Sequence, residues 1–578
     1  MEMITLKIND KEYSVPKDST VLEAARYAGI DIPTLCYLKD INEIGACRIC
    51  LVEVKGARGL ATACVCPATE GMEIYTNTPK VINARKMNLE LLLSAHDKKC
   101  LSCIRSTTCE LQKLCLDYGV DESYFGGKKE IYEVEDNGTS IVRDNNKCIL
   151  CRRCVGACTN VQGIGAISAV NRGFDTVIGS SFGKKLTETT CINCGQCIVA
   201  CPTGALHEKD DTQKVMDALA DPTKHVAIFF APSIRATLGE CFGYEPGTDV
   251  EGKMVAAAKA MSFDGVYDMN LTADLTIMEE AHEFIDRLQN GGKLPMITSC
   301  SPGWIKFCEH YFPEMTENLS SCKSPQQMFG AMYKTYYAQK MGIDPKNIVT
   351  VSCIPCTAKK FEVTRDDQNA AGVPDVDVAI TTREYARLVE KAGLNFKILP
   401  DAKFDDPFAI GSGAGIIFGA TGGVMEAALR TAAEVVTGKS LDSLEFTEVR
   451  GTDGIKRATY KLGDLELKVA VVSGTKNAKK LLKAVQAGEE QVHFIEVMAC
   501  PGGCVNGGGQ PTQPASVRNN ADLRAIRASV LYNADKAYSI RKSHENSAVQ
   551  KLYDEFLGKP GSHKAHEILH TTYVKRGQ

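Results

Sequence analysis

The chain has no excess of either charge: 67 basic and 71 acidic side chains leave a net charge of −4 over 578 residues. That balance excludes a basic nucleic-acid surface. With 44% apolar and 24% charged residues it also excludes general disorder. The sequence has little continuous hydrophobicity. Its opening MEMITLKINDKEYSV alternates charge with single apolar residues and supplies no h-region of a secretory signal, so a cytoplasmic location is expected. The longest uncharged stretch, Pro407 to Met425, is long enough for a membrane span but carries six glycines plus Ser412 and Thr421. It reads as a buried glycine-rich loop entering a helix. A dinucleotide fingerprint is missing too, because Gly413 and Gly415 sit in a GxGxxF string and fail the GxGxxG pattern. Any NAD(P) site therefore belongs to a partner subunit.

Cysteine is abundant: 25 residues, 17 of them within the first 201. In a reducing compartment clustered cysteines read as metal ligands, not disulfides. The length predicts several domains at about 100–200 residues each. Ile4, Leu6 and Ile8 alternate with polar positions, Asn9-Asp10 supplies a turn, and Tyr13 and Val15 resume the period, which predicts a β-hairpin. Thr20 and Glu23 form a capping-box pattern ahead of an apolar run that ends at Gly29. Residues 80–95 have helical spacing, and 120–146 read as a polar connector. From about residue 210, strand-like runs (225–230, 349–351, 467–472) alternate with helical segments, predicting a large α/β domain.

The first cysteine group is Cys36, Cys47, Cys50 and Cys64. A C-x2-C loop lets two thiolates converge while flanking strands deliver the others, for an iron–sulfur cluster or for structural zinc. With its hairpin and helix the segment resembles the 2Fe-2S domain that opens respiratory complex I large subunits and related hydrogenases, and Cys66 falls outside the set. The second group, His96, Cys100, Cys103 and Cys109, places one neutral imidazole among three thiolates, which alters a cluster's charge and potential. It resembles the His-ligated 4Fe-4S site of the same families; Cys115 has no partner in the pattern. The third group is a pair of C-x2-C-x2-C-x3-C runs of the bacterial ferredoxin type, in which each fourth cysteine serves the other run's cluster. One 4Fe-4S cluster takes Cys148, Cys151, Cys154 and Cys201, and the other Cys191, Cys194, Cys197 and Cys158.

Four candidate clusters make an electron relay. Three further strings stand out: TSCSPGW at 298–304, IPCTAKKFE at 354–362 and EVMACPGGCVNGGGQP at 496–511. At these residues the chain resembles the catalytic domain of iron-only (diiron) hydrogenases, of the clostridial type with four accessory clusters. The resemblance implies reversible reduction of protons to H2 at an H-cluster: a 4Fe-4S cluster joined through a cysteine to a diiron unit carrying CO, CN and a dithiolate amine, installed by maturases. It implies Cys356, Cys500 and Cys504 as ligands, Cys504 bridging, with Lys359 facing an iron-bound cyanide. Ala231, Pro232, Ser233, Gln326, Phe418 and Met498 would line the pocket. Proton delivery needs a chain of titratable and hydroxyl groups; the resemblance implies Glu280, Glu283 and Arg287 along TIMEEAHEFIDR, with Ser320 in LSSCKSPQQ.

The family's first string usually reads TSCCPxW, whereas this chain has Cys300 followed by Ser301. Strict alignment makes Cys300 the proton relay and puts Ser301 at a ligand position; a hard, basic serine oxygen is a poor thiolate substitute, so Cys300 as metal ligand and Cys300 as catalytic thiol both stay open. Ile354 stands where the family usually has methionine. The expected architecture is a β-grasp 2Fe-2S domain (1–80), a His/Cys3 4Fe-4S module (81–125), a two-cluster 4Fe-4S ferredoxin domain (138–210) and a two-lobed α/β H-cluster domain (211–578), holding about 20 irons. The implied partners are ferredoxin, or NAD(P)H-binding flavin and iron–sulfur subunits of an electron-bifurcating complex. The other reading is a hydrogenase-like assembly or electron-transfer protein without the diiron unit.

Overall fold

The computed structural model describes residues 2–577 except 122, 127–128, 407–410, 440, 442 and 463–464, so the first four residues of the stretch from Pro407 lie outside the described residues. The remainder of that stretch is buried and enters the helix Gly423–Thr437. Among the described residues no helix is long and apolar enough to cross a membrane. All 25 cysteines stand as free thiols.

At the N-terminus Met3–Ile8 and Lys11–Pro16 form the hairpin, and Asn9 and Asp10 both adopt positive φ (50° and 65°), as a tight two-residue turn demands. Met3–Ile8 also pairs in parallel with Glu73–Tyr75, which continues to Leu51–Val54 and Ala61–Thr62. Thr20 and Glu23 close the capping box of helix Val21–Tyr27, whose Val21, Leu22, Ala24 and Ala25 are buried. This is the β-grasp arrangement. Helix Pro79–Ala95 follows and delivers His96 at its C-terminal end.

The two ferredoxin runs share more than their spacing. Leu150 and Arg152 in the first, and Asn193 and Gly195 in the second, all take left-handed φ at matching positions. Each run turns its cysteines inward by the same local geometry, so the duplication extends to the backbone. The unit is closed by Ile141–Arg143 pairing antiparallel with Leu206–Glu208. The buried Arg153 binds Glu110 of the preceding module at 2.7 Å.

The C-terminal region contains two sheets. In the first, Gly265–Asp268, His225–Phe230, Ile348–Ile354 and Val378–Thr381 lie side by side, all parallel. In the second, Met296–Ile297, Phe494–Met498 and Leu465–Ser473 are parallel, and Ile455–Leu462 adds an antiparallel edge. Helix Asn270–Asn290 joins the lobes: Leu271 and Leu275 pack into the core of the first, Ala273, Ile277 and Phe284 into that of the second. Its apolar residues therefore wrap around two sides, which a single amphipathic stripe would not do. The only tryptophan, Trp304, is fully buried and donates Nε1–H to the Thr298 carbonyl at 3.1 Å, fixing the TSCSPGW turn.

Candidate active site and iron–sulfur sites

In open parallel sheets, ligand crevices form beyond the carboxyl ends of the strands. Here those ends bring the three strings together. His225–Phe230 runs directly into Ala231, Met296–Ile297 is followed by Cys300, Ile348–Ile354 by Cys356, and Phe494–Met498 by Cys500. All four ends open on one largely apolar cavity with about 800 Å³ of atom-free space, its mouth included. Its wall contains Cys300, Ser301, Cys356, Cys500 and Cys504, together with Lys359 and the six residues Ala231, Pro232, Ser233, Gln326, Phe418 and Met498.

Burial pushes all four thiols up, that of Cys504 to about 12. Neutral thiols gain nothing by converging in a dry pocket, whereas thiolates neutralised by iron do. Cys356, Cys500 and Cys504 act on one another electrostatically. Cys300 lies in the same wall and feels two sides of it: after burial, the largest influences on its thiol are the carboxyl of Glu280 and then Cys504. Ser301 Oγ accepts the backbone N–H of Ala499 at 3.2 Å, one residue before Cys500. Across the cavity, Lys359 Nζ lies 2.8 Å from Glu362 Oε2, which also accepts from Ser324 Oγ (2.9 Å) and Gln326 Nε2 (3.0 Å). Gln326 Oε1 in turn accepts from Ser352 Oγ at 2.8 Å. The donor set thus offers soft ligands on one side and a buried, oriented cation on the other, and it fits an iron–sulfur cluster carrying an anionic extension.

From Cys300 a line of polar groups leads outward. Burial first, and then the charge of Glu283, raises the Glu280 carboxyl to about 8. Both of its oxygens are buried without a hydrogen bond of good geometry, and Ser320 is the adjacent side chain. Ser320 Oγ donates to Glu283 Oε2 at 3.1 Å, Glu283 Oε1 accepts from Arg287 Nη2 at 2.5 Å, and Arg287 reaches the surface fastened to the carbonyls of Leu319 and Asn318.

Residues of the expected accessory sites also come together. Cys50 and Cys64 lie with sulfurs 3.3 Å apart, and Cys36 Sγ, which accepts the Cys47 N–H at 3.5 Å, acts electrostatically on both. The Cys66 thiol points instead at the adjacent Pro67 carbonyl. Among the described residues His96 Nδ1 is buried with no partner, and burial lowers its imidazole to about 4, so it offers a neutral lone pair. Cys109 lies within electrostatic reach of Cys103. Cys148, Cys151, Cys154 and Cys201 line one small cavity, and Cys158, Cys191, Cys194 and Cys197 another.

One contact could not be read from the sequence. Cys194 also lines the active-site cavity. Thr357 Oγ1 donates to the Asn193 carbonyl (2.7 Å) and Gln196 Nε2 to that of Asn506 (2.8 Å). A Cβ on Gly508 would sit 2.3 Å from the Cys194 carbonyl oxygen, so only glycine lets the two loops touch. Gly508→Ala should therefore push the loops apart and slow intramolecular electron transfer at least tenfold; rapid-freeze EPR of the cluster signals is the check.

A chain of cysteine groups ending at a thiol-lined cavity from which polar side chains lead outward defines the class of iron–sulfur oxidoreductases. The chain belongs to the iron-only hydrogenase family. The family "Iron only hydrogenase large subunit, C-terminal domain" matches residues 224–508, and "Iron hydrogenase small subunit" matches 521–576. The 2Fe-2S iron-sulfur cluster binding domain matches 1–79, the NADH-ubiquinone oxidoreductase-G iron-sulfur binding region 85–124, and the 4Fe-4S dicluster domain 147–205. The chain is 50% identical to NADP-reducing hydrogenase subunit HndD of Solidesulfovibrio fructosivorans, covering all of both chains. It is 46% identical to iron hydrogenase 1 of Clostridium pasteurianum over 99% of this chain and 100% of that one. A solved structure of a single-residue variant of the [FeFe]-hydrogenase HydA1 from Chlamydomonas reinhardtii matches 64% of this chain and all of its own with TM-score 0.57 and 41% identity. The protein is thus an H2-converting enzyme that carries 2Fe-2S and 4Fe-4S clusters and an H-cluster with its diiron unit. The small-subunit match was not anticipated from the sequence; helix Leu523–Ala537 in it is packed into the catalytic lobes through Arg527–Glu240 and Arg430–Asp535 ion pairs (2.7 and 2.9 Å).

Proposed function

We propose that this chain is the cytoplasmic catalytic subunit of a multimeric NAD(P)-linked hydrogenase, in which electrons pass between partner flavin and iron–sulfur subunits and the active site by way of the accessory clusters. The observation that carries the electron route is the place of Cys194 in both the second ferredoxin cavity and the active-site wall. The NAD(P) link rests on the full-length likeness to the NADP-reducing hydrogenase subunit, together with the lack of a nucleotide fingerprint here. Purified alone after co-expression with maturases, the chain should reduce viologen with H2 but not NADP+; NADP+ reduction by the isolated chain contradicts the proposal.

Bound in the cavity, the diiron unit would supply the redox chemistry for heterolytic cleavage of H2. Cys356, Cys500 and Cys504 would hold the cluster, and Lys359, steadied by Glu362, would orient its anionic ligands. Phe418, Met498 and Pro232 exclude water. The Cys300 thiol exchanges its proton with Glu280, and Ser320, Glu283 and Arg287 carry protons to the surface. Ser301 Oγ would then be the fourth residue to hold the cluster. Two facts favour this division: Glu280 is the foremost charged group acting on Cys300, and Ser301 abuts the Cys500 loop. Cys300→Ala should keep about 20 irons per chain yet lose roughly a hundredfold in turnover. Loss of the active-site irons in that variant would make Cys300 a ligand instead.

A further inference from the structure

Beside the proton exit lies a second group of metal-binding side chains that the hydrogenase reaction does not require. Glu283, Cys322 and His570 each offer a ligand atom, and these atoms all lie within 4.8 Å of one another. The Cys322 thiol points at Glu283 Oε2 over 3.8 Å. Backbone pairing fixes the other edge: Cys322 bridges His570, Lys323 N–H donates to the Leu569 carbonyl and Thr571 N–H to the Ser321 carbonyl, both at 2.8 Å. Two of the three ligands are thus held on adjacent extended segments and the third on helix Asn270–Asn290.

The surroundings of His570 point the same way. Its Nε2 lies 3.0 Å from Glu279 Oε2, and Glu279 is itself buried and held by Tyr553 O–H (2.5 Å) and the Gly561 N–H (3.0 Å). A carboxylate that binds one ring nitrogen of a histidine fixes the tautomer and makes the other nitrogen a better metal ligand. That other nitrogen, Nδ1, faces the group and touches Ser321 Oγ at 2.7 Å. Further charged neighbours are Glu280, whose carboxyl acts on both Cys322 and Glu283, Arg287, paired with Glu283 Oε1, and His566, stacked on His570.

We propose that Glu283, Cys322 and His570 form a binding site for a Zn2+-like divalent cation, and that its occupancy closes the proton exit. A carboxylate, a thiolate and an imidazole are a donor set that Zn2+ takes readily, with water in the fourth position. Binding would displace the Cys322 S–H proton to solvent and replace the Ser321 contact on Nδ1, leaving the Arg287 pairing on the other carboxylate oxygen. Glu283, committed to the ion, could no longer accept a proton from Ser320. The closure rests on the proton route proposed above, whereas the binding does not.

The two are separated by titrating anaerobic holoenzyme with Co2+ and with Zn2+. Co2+ should produce a thiolate charge-transfer band at one equivalent in the wild type. The band should be lost in Cys322→Ser and His570→Gln and retained in Cys115→Ser. Zn2+ should lower viologen-linked turnover at least tenfold in the wild type, with full recovery on chelation, but less than twofold in Cys322→Ser, whose metal-free turnover should match wild type. Absence of the Co2+ band, or a band that survives Cys322→Ser, overturns the site. A Cys322-dependent band without inhibition keeps the site and overturns the proton route through Glu283.

Discussion

Replacing Glu280 by glutamine should lower H2 turnover by about 10²–10⁴-fold, the range typical of a positioned acid–base group. Iron content and reduction of the accessory clusters should not change. Glu280 is suited to relaying protons because burial holds its carboxyl near 8, so it is protonated at neutral pH and still able to release. The same shift appears in stability, with a defined sign. Below the ordinary carboxyl value of 4.5 the group is protonated in both folded and unfolded chains and contributes nothing. Between 4.5 and about 8 the unfolded carboxyl ionises while the buried one keeps its proton, so wild-type stability falls as pH rises. Glu280→Gln should therefore match wild type at acid pH and unfold at higher temperature than wild type above pH 8. Anaerobic thermal melts across that range check this, and parallel curves would remove Glu280 from the buried position described.

The second large effect concerns Lys359. Changing it to methionine leaves the Glu362 carboxylate buried with only Ser324 and Gln326 as donors. Breaking a buried pair from one side typically costs about 3–5 kcal/mol, and losing a charge aimed at the reacting centre costs about 10²–10³ in rate. The double variant Lys359→Met with Glu362→Gln separates the two roles. It should regain most of the stability, since no unpaired charge remains, and none of the activity. Recovery of both would reduce Lys359 to a structural residue.

The contrast between what the chain announces and what it conceals follows from range in sequence. Clusters that take several ligands from a short loop are legible as spacing, as in the C-x2-C-x2-C-x3-C runs, whereas the 36–64 set and the three catalytic strings, far apart in the chain, were legible through their resemblance to a family. The hairpin turn at Asn9-Asp10 and the Thr20 capping box were legible because their physics is local. Long-range pairings leave no such trace. Nothing near Gly508 announces that it must admit the Cys194 loop, 314 residues away. Nothing near His570 shows that Glu279 orients it or that Cys322 lies beside it. The Arg430–Asp535 and Arg527–Glu240 pairs that seat the C-terminal helices are equally silent. Helix Asn270–Asn290 buries residues in both lobes, so its pattern reads as a charged surface helix although Glu279 and Glu280 are fully buried.

The central claim, a diiron unit seated among Cys504, Lys359 and the apolar wall, is tested most directly by an infrared spectrum of protein co-expressed with maturases and purified without oxygen. Sharp carbonyl and cyanide bands are expected, with the cyanide bands shifted in Lys359→Met. A spectrum without these bands, from protein whose accessory clusters are intact, would contradict it.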